Sequence, residues 1–126
     1  MDGLLDTSVF ISREAERPIL DHPDRGGISV MTLAELHAGV LSAKDARTRA
    51  ARTRTLAGAE HAFDVLPVDP AIVRRFAEIT TDAKLKGARL GVADALIAAT
   101  AIVHDVPLYT RDDHFDRVPG LRGVKI

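Results

Sequence analysis

Short apolar runs alternate along this chain with longer stretches in which apolar residues recur at helical spacing. Leu4-Leu5 reads as a brief buried strand with Asp6 at its C-terminal end, and Val9-Phe10-Ile11 then opens a helix. Residues 13–17 read as its solvated continuation, and Pro18 to Gly27, with two prolines and two glycines, as a loop or broken helix. Ile28-Ser29-Val30 is a second strand. Thr32 opens a helix that carries Leu33, Leu36, Val40 and Leu41 on a core-facing stripe and stops near Ser42. A more polar helix is expected over 44–63, and a third strand over Val65-Leu66-Pro67-Val68, where the proline argues for an edge or a strand end. Asp69-Pro70 is a cap followed by a proline suited to a first helical position, so a helix follows with Ile72, Val73, Phe76 and Ile79, fraying at Lys86-Gly87. From Gly91 to Asp105 the chain is rich in Ala and Leu, and its apolar residues cover nearly the whole circumference, which predicts a buried helix. Val106-Pro107-Leu108-Tyr109 is a fourth strand. Phe115 and Val118 begin a short helical turn, Pro119-Gly120 reverses the chain, and Leu121 to Ile126 forms a last strand.

Strands alternating with helices predict an α/β fold: one domain with a mostly parallel sheet of about four to five short strands and helices on both faces. In 126 residues such a domain buries roughly two thirds of its unfolded surface. No run approaches the ~18 apolar residues of a membrane span, so no membrane role is expected. The acidic start Met-Asp-Gly-Leu-Leu-Asp shows no secretory pattern, and the absence of cysteine rules out zinc-thiolate and thiol chemistry. Both fit a cytoplasmic protein. A net charge of −1 with no Trp and one Tyr excludes a protein that holds nucleic acid by a global positive field or an aromatic platform. Any such partner must be handled at a local site.

In a parallel sheet, ligands lie beyond the C-terminal strand ends. Asp6 and Asp112 follow strands directly, and Glu35 and Asp94 are expected in the first turns of helices at the same edge, so one rim can collect four carboxylates. A bland account exists for each. Thr32-x-x-Glu35 has the form of a capping box, Thr110-x-x-Asp113 resembles one, and acids favour helix N-termini. Asp94 weighs toward function because its surroundings are apolar, and Asp6 because Thr7-Ser8 can orient it. Packed together, four carboxylates cannot all stay ionised without a cation. Hard ions such as Mg²⁺ or Mn²⁺ take such oxygen donors, and they promote phosphodiester hydrolysis.

The segments Leu-Leu-Asp6-Thr-Ser-Val-Phe-Ile, Thr-Leu-Ala-Glu35-Leu-His-Ala-Gly, Val-Ala-Asp94-Ala-Leu-Ile-Ala-Ala-Thr-Ala and Leu-Tyr-Thr-Arg-Asp112 occur in this order and spacing. Together they resemble the PIN-domain ribonucleases of the VapC toxin type over essentially all of residues 1–126. The resemblance implies a Mg²⁺- or Mn²⁺-dependent endoribonuclease acting on a structured RNA such as a tRNA or ribosomal RNA. It implies Asp6 and Asp94 as principal metal ligands, Glu35 assisting in metal binding or water activation, and Asp112 completing the quartet. It further implies a homodimer neutralised by a cognate VapB-type antitoxin. Family members often carry another acid just before the Phe, where this chain has His114, so Asp113 is an alternative to Asp112 as fourth acid. Ser8 and Thr110 are candidates for hydrogen-bonding the ligating carboxylates, or are ordinary turn hydroxyls.

Two other readings compete. One is a non-catalytic RNA- or protein-binding module on the same fold, its acids serving as caps. The other, a phosphotransfer enzyme of the haloacid-dehalogenase type, wants Asp-x-Asp at the first strand end, and Asp6-Thr7-Ser8 lacks the second Asp. Arg47, Arg49, Arg52 and Arg54 form no single stripe, so their helix is either solvated or a contact for RNA or a partner. His22, His37, His61, His104 and His114 show no ligand spacing and read as surface or core residues, with His37 the closest in sequence to an acid of interest.

Overall fold

A computed structural model describes residues 1–14 and 23–126, apart from the side chains of residues 12–14. The readings for residues 15–22, including His22, lie outside the described residues. Five strands form one sheet: β1 (Gly3–Leu5), β2 (Gly26–Ser29), β3 (Asp64–Leu66), β4 (Leu108–Thr110) and β5 (Gly123–Lys125). Their order is β3-β2-β1-β4-β5, and every pairing is parallel. The helices are α1 (Thr7–Glu14), α2 (Val30–Leu41), α3 (Ala46–Ala62), α4 (Pro70–Leu85) and α5 (Val92–Val103), with a 3₁₀ turn at Asp113–Phe115. The single-domain α/β architecture expected from the alternation is the one observed.

Successive strand residues face opposite sides, and this divides the core. Leu4 and Leu108 pack with Ile72 and Ile79 of α4 and the alanine-rich face of α5. Leu5 and Ile28 pack with Val9 and Phe10 of α1, Leu36 of α2 and Leu56 and Ala59 of α3. Helices therefore cover both faces. The chain runs outward from β1 through β2 to β3, then crosses over to β4, so the direction of winding switches between β1 and β4. That is where an open α/β sheet leaves a crevice at its C-terminal edge. Among the described residues, no helix is long and apolar enough to cross a membrane.

Several boundaries differ from expectation. β2 starts at Gly26, two residues before Ile28, and ends at Ser29. Gly26 is a close-approach residue rather than loop punctuation: a Cβ there would meet Leu5 Cδ1 at 2.7 Å and the Phe63 ring at 2.8 Å. Val30 consequently begins α2 instead of ending the strand. Its cap is Ser29, whose side chain accepts from the Met31 N–H. Thr32 is thus a fully buried helix residue, the capping box with Glu35 does not form, and Glu35 lies beyond the first turn.

Leu41 and Val73, expected in the core, are 81% and 49% exposed, being turned to the outer faces of α2 and α4. α5 is shorter than 91–105 and not apolar-buried all round, since Val92 is 63% exposed. The 3₁₀ turn follows Asp112 without a side-chain cap bond, so Thr110 and Asp113 make no capping box either. The expected cap does form at Asp69, whose carboxylate accepts from the Ile72 N–H at 2.9 Å, with Pro70 opening α4. β3 is an edge strand that ends just before Pro67. In α3, Arg52 and Arg49 donate to the carbonyls of Gly39 and Ala43, fastening this helix to the end of α2, while Arg47 and Arg54 are exposed.

Candidate active site

Asp6 follows β1 directly, at the edge of the crevice, and is 2% exposed. It also opens α1: its Oδ1 accepts the Ser8 N–H at 3.0 Å, the bond of an N-cap residue. A cap needs one such bond, and Asp6 has more. The Ser8 hydroxyl donates to the same Oδ1, and the Thr110 hydroxyl donates to Oδ2 at 2.7 Å. Each hydroxyl then accepts a backbone N–H from the segment after β4. Arg111 donates to Ser8 Oγ at 2.9 Å, and Asp112 to Thr110 Oγ1 at 2.9 Å. Two hydroxyls so placed lock the turn carrying Asp112 against the carboxylate of Asp6, across the boundary between β1 and β4.

Burial pushes the Asp6 carboxyl above its ordinary value of 3.8, against the hydrogen bonds from Ser8 and Thr110, and the negative charge of Asp112 pushes it further up. Asp94, in the first turn of α5, is also raised. Burial is the main cause; nearby His114 pulls it down, and Asp112 raises it again. Asp112 therefore acts electrostatically on both Asp6 and Asp94. Asp113 pairs with Lys125. Of the two candidates for a fourth acid, Asp112 is the one coupled to the others.

Glu35 approaches from α2. The Thr7 hydroxyl, on the residue after Asp6, donates to Glu35 Oε1 at 2.6 Å and lies 3.3 Å from the hydroxyl of buried Thr32. Glu35 is exposed, so it overlooks the crevice rather than being sealed in it.

Two side chains at this rim escape a reading of sequence spacing. Thr7 is one, because its partner stands 28 positions away. The other is His114, set aside as a surface or core residue. Its Nδ1 lies 3.6 Å from Asp94 Oδ2 and 3.8 Å from Asp112 Oδ2, between the two acids. Its signal was its place just before Phe115, where a further acid is common. His37 is exposed on α2 and bonds to none of the acids.

Among the described residues, no group of three or more His, Cys, Asp or Glu side chains stands close enough to enclose a metal ion. The donors nonetheless suit a hard ion of low protein-ligand number. Mg²⁺ keeps several waters and uses one or two carboxylates plus substrate phosphate. Two carboxyls whose charged forms are disfavoured by burial and by a shared acidic neighbour gain from such an ion. A test of the scaffold is Thr110→Val, which removes both the donor to Asp6 and the acceptor for the Asp112 N–H. About a 10- to 100-fold loss of metal affinity is expected, the usual cost of removing a partner of a ligand. Calorimetric Mn²⁺ titration measures it.

The PIN domain family model matches residues 3–121. Ribonuclease VapC8 of Mycobacterium tuberculosis is 50% identical over 101 residues, covering 79% of this chain and 89% of that protein. Ribonuclease VapC5 of the same organism is 39% identical over 126 residues, covering 98% and 93%. Among solved structures, VapBC-5 from Mycobacterium tuberculosis, a member of the VapBC family of toxin-antitoxin systems, superimposes with a TM-score of 0.84 at 37% identity, covering 99% of this chain and 98% of that one. With a family match over almost its whole length and an acidic crevice at the switch point of its sheet, this chain belongs to the PIN-domain family, among the VapC-type ribonucleases.

Proposed function

We propose that this chain is the toxin of a toxin–antitoxin pair, a single PIN domain over residues 1–126 that hydrolyses phosphodiester bonds in structured RNA with a Mg²⁺ or Mn²⁺ ion. Its place among the VapC-type ribonucleases makes it an endoribonuclease, a hydrolase. The observation that carries the metal assignment is the mutual electrostatic coupling of Asp6, Asp94 and Asp112 at one crevice.

Asp6, Asp94 and Asp112 would hold the ion, with Glu35 assisting. When bound, the ion supplies the positive charge that polarises a phosphoryl oxygen and lowers the pKa of a water molecule. Asp6 is oriented by Ser8 and Thr110, and Asp94 keeps its charge at the positive end of the α5 dipole. Glu35 has one oxygen occupied by Thr7, which leaves Oε2 to accept a proton from the attacking water. We further read the chain as a cytoplasmic homodimer neutralised by a VapB-type antitoxin, since VapBC-5, its structural relative, is a toxin–antitoxin system.

Mapping the 5′ ends of cellular RNAs after brief expression tests this reading. The wild type should create new ends that recur at defined positions in structured RNAs, and Asp94→Asn should create none. The same ends with both proteins would refute it.

A further inference from the structure

A groove of about 470 Å³ lies beside the acidic crevice, between the end of α4, residues 86–90 and the segment that follows β4. Its volume is within the range of about 300–1,000 Å³ that ligand sites occupy. His114 is common to both: it lines the groove, and its Nδ1 stands 3.6 Å from Asp94. The groove floor is apolar, with Ile79, Leu90 and Val118, and its rim carries Lys86, Arg89 and Arg117. Lys86 is held by Asp82 at 3.1 Å, and Asp113 at the rim is neutralised by Lys125. Among the described residues, neither Arg89 nor Arg117 has a carboxylate partner. In a chain with a net charge of −1, two unpaired guanidinium groups beside a cluster of acids are a local exception.

We propose that this groove seats the RNA strand flanking the scissile phosphate, with Arg89 and Arg117 holding backbone phosphates and the apolar floor taking a ribose and base. The inference rests on the ribonuclease reading and extends it to the path of the substrate. Planar guanidinium groups match phosphate oxygens in paired hydrogen bonds. Placed to one side of the acids, they offset the repulsion that a carboxylate-lined crevice exerts on a polyanion. Arg89 and Arg117 are positioning residues, since they act on the strand and not on the reacting atoms.

The test measures binding of a short fluorescein-labelled single-stranded RNA of mixed sequence across a salt series, with Arg89→Ala/Arg117→Ala, the matching Lys double variant, and Arg47→Ala/Arg54→Ala on the exposed side of α3. The first should weaken binding about tenfold or more and reduce the slope of log affinity against log salt by about 0.7 for each phosphate no longer held. The Lys variant should recover part of the affinity, the α3 variant should match wild type, and Mn²⁺ affinity should be the same in all. Unchanged affinity and slope in the Ala variant would overturn the proposal, as would an equal loss in the α3 variant. So would unchanged RNA binding with loss of self-association in sedimentation, which would give this face to a second copy of the chain. Cleavage by the wild type that Asp6→Asn abolishes sustains the ribonuclease reading whichever way the groove test falls.

Discussion

Asp6→Asn should lower RNA cleavage by about 100-fold or more, while the metal-free variant melts at a higher temperature than the metal-free wild type. The two effects share one cause. Asp6 is 2% exposed, and burial disfavours its charged form even with Ser8 and Thr110 hydrogen-bonded to it. Asn keeps a carbonyl oxygen for the Ser8 donors, and its amide can donate to Thr110 Oγ1, so the lock between β1 and β4 survives in altered polarity. What disappears is the negative charge, and with it the repulsion from Asp112 and the attraction for a cation. Removing such a charge at a domain of this size is expected to raise the melting temperature by a few degrees, roughly the change that follows from about 1 kcal/mol. An ordinary buried structural acid would behave in the opposite way, losing stability on replacement. Thermal melts in EDTA and a cleavage assay with Mn²⁺ measure the two halves separately.

The dependence of stability on pH should invert when a divalent ion is added. Asp6 and Asp94 both have folded-state pKa values above the ordinary 3.8, chiefly through burial, so the folded chain binds their protons more tightly than the unfolded chain does. Their contribution to stability is therefore largest at low pH. It declines as pH rises from 3.8 through the raised folded values, then stays at the lower level. A divalent ion competes with the same protons, so its stabilisation is small at low pH and grows over that window. At a concentration about 100 times its dissociation constant it should contribute about 2.7 kcal/mol. Melting temperatures with EDTA and with Mn²⁺, followed from acid to neutral pH, should diverge upward through the window. In Asp6→Asn/Asp94→Asn the two curves should coincide.

The order of strands and helices was legible because it is written in local patterns. Leu4-Leu5 ending at an acid, Asp69-Pro70 and the apolar run after Gly91 each specify an element without long-range help. The acids also declared themselves by position, since Asp6 and Asp112 follow strands whose ends meet only in a parallel sheet. Boundaries were less legible where packing decides them. Gly26 looks like loop punctuation, yet the Leu5 and Phe63 side chains require its bare backbone inside β2. That placement moves the helix cap to Ser29 and removes the apparent capping box at Thr32. His114 was hidden for a related reason. Its neighbours are acids rather than histidines, one of them 20 positions away, and only the crossover between β1 and β4 brings them together. Arg49 and Arg52 read as surface charge but fasten α3 to the end of α2 through carbonyl oxygens that no sequence pattern marks.

Calorimetric titration of Mn²⁺ into wild type and Asp6→Asn at neutral pH addresses the shared cation itself. Saturable binding to the wild type, with proton release that grows at lower pH and with the signal lost in Asp6→Asn, is the expected result. Equal binding by both proteins, or none by the wild type, would mean that Asp6, Asp94 and Asp112 share this crevice for structural reasons alone.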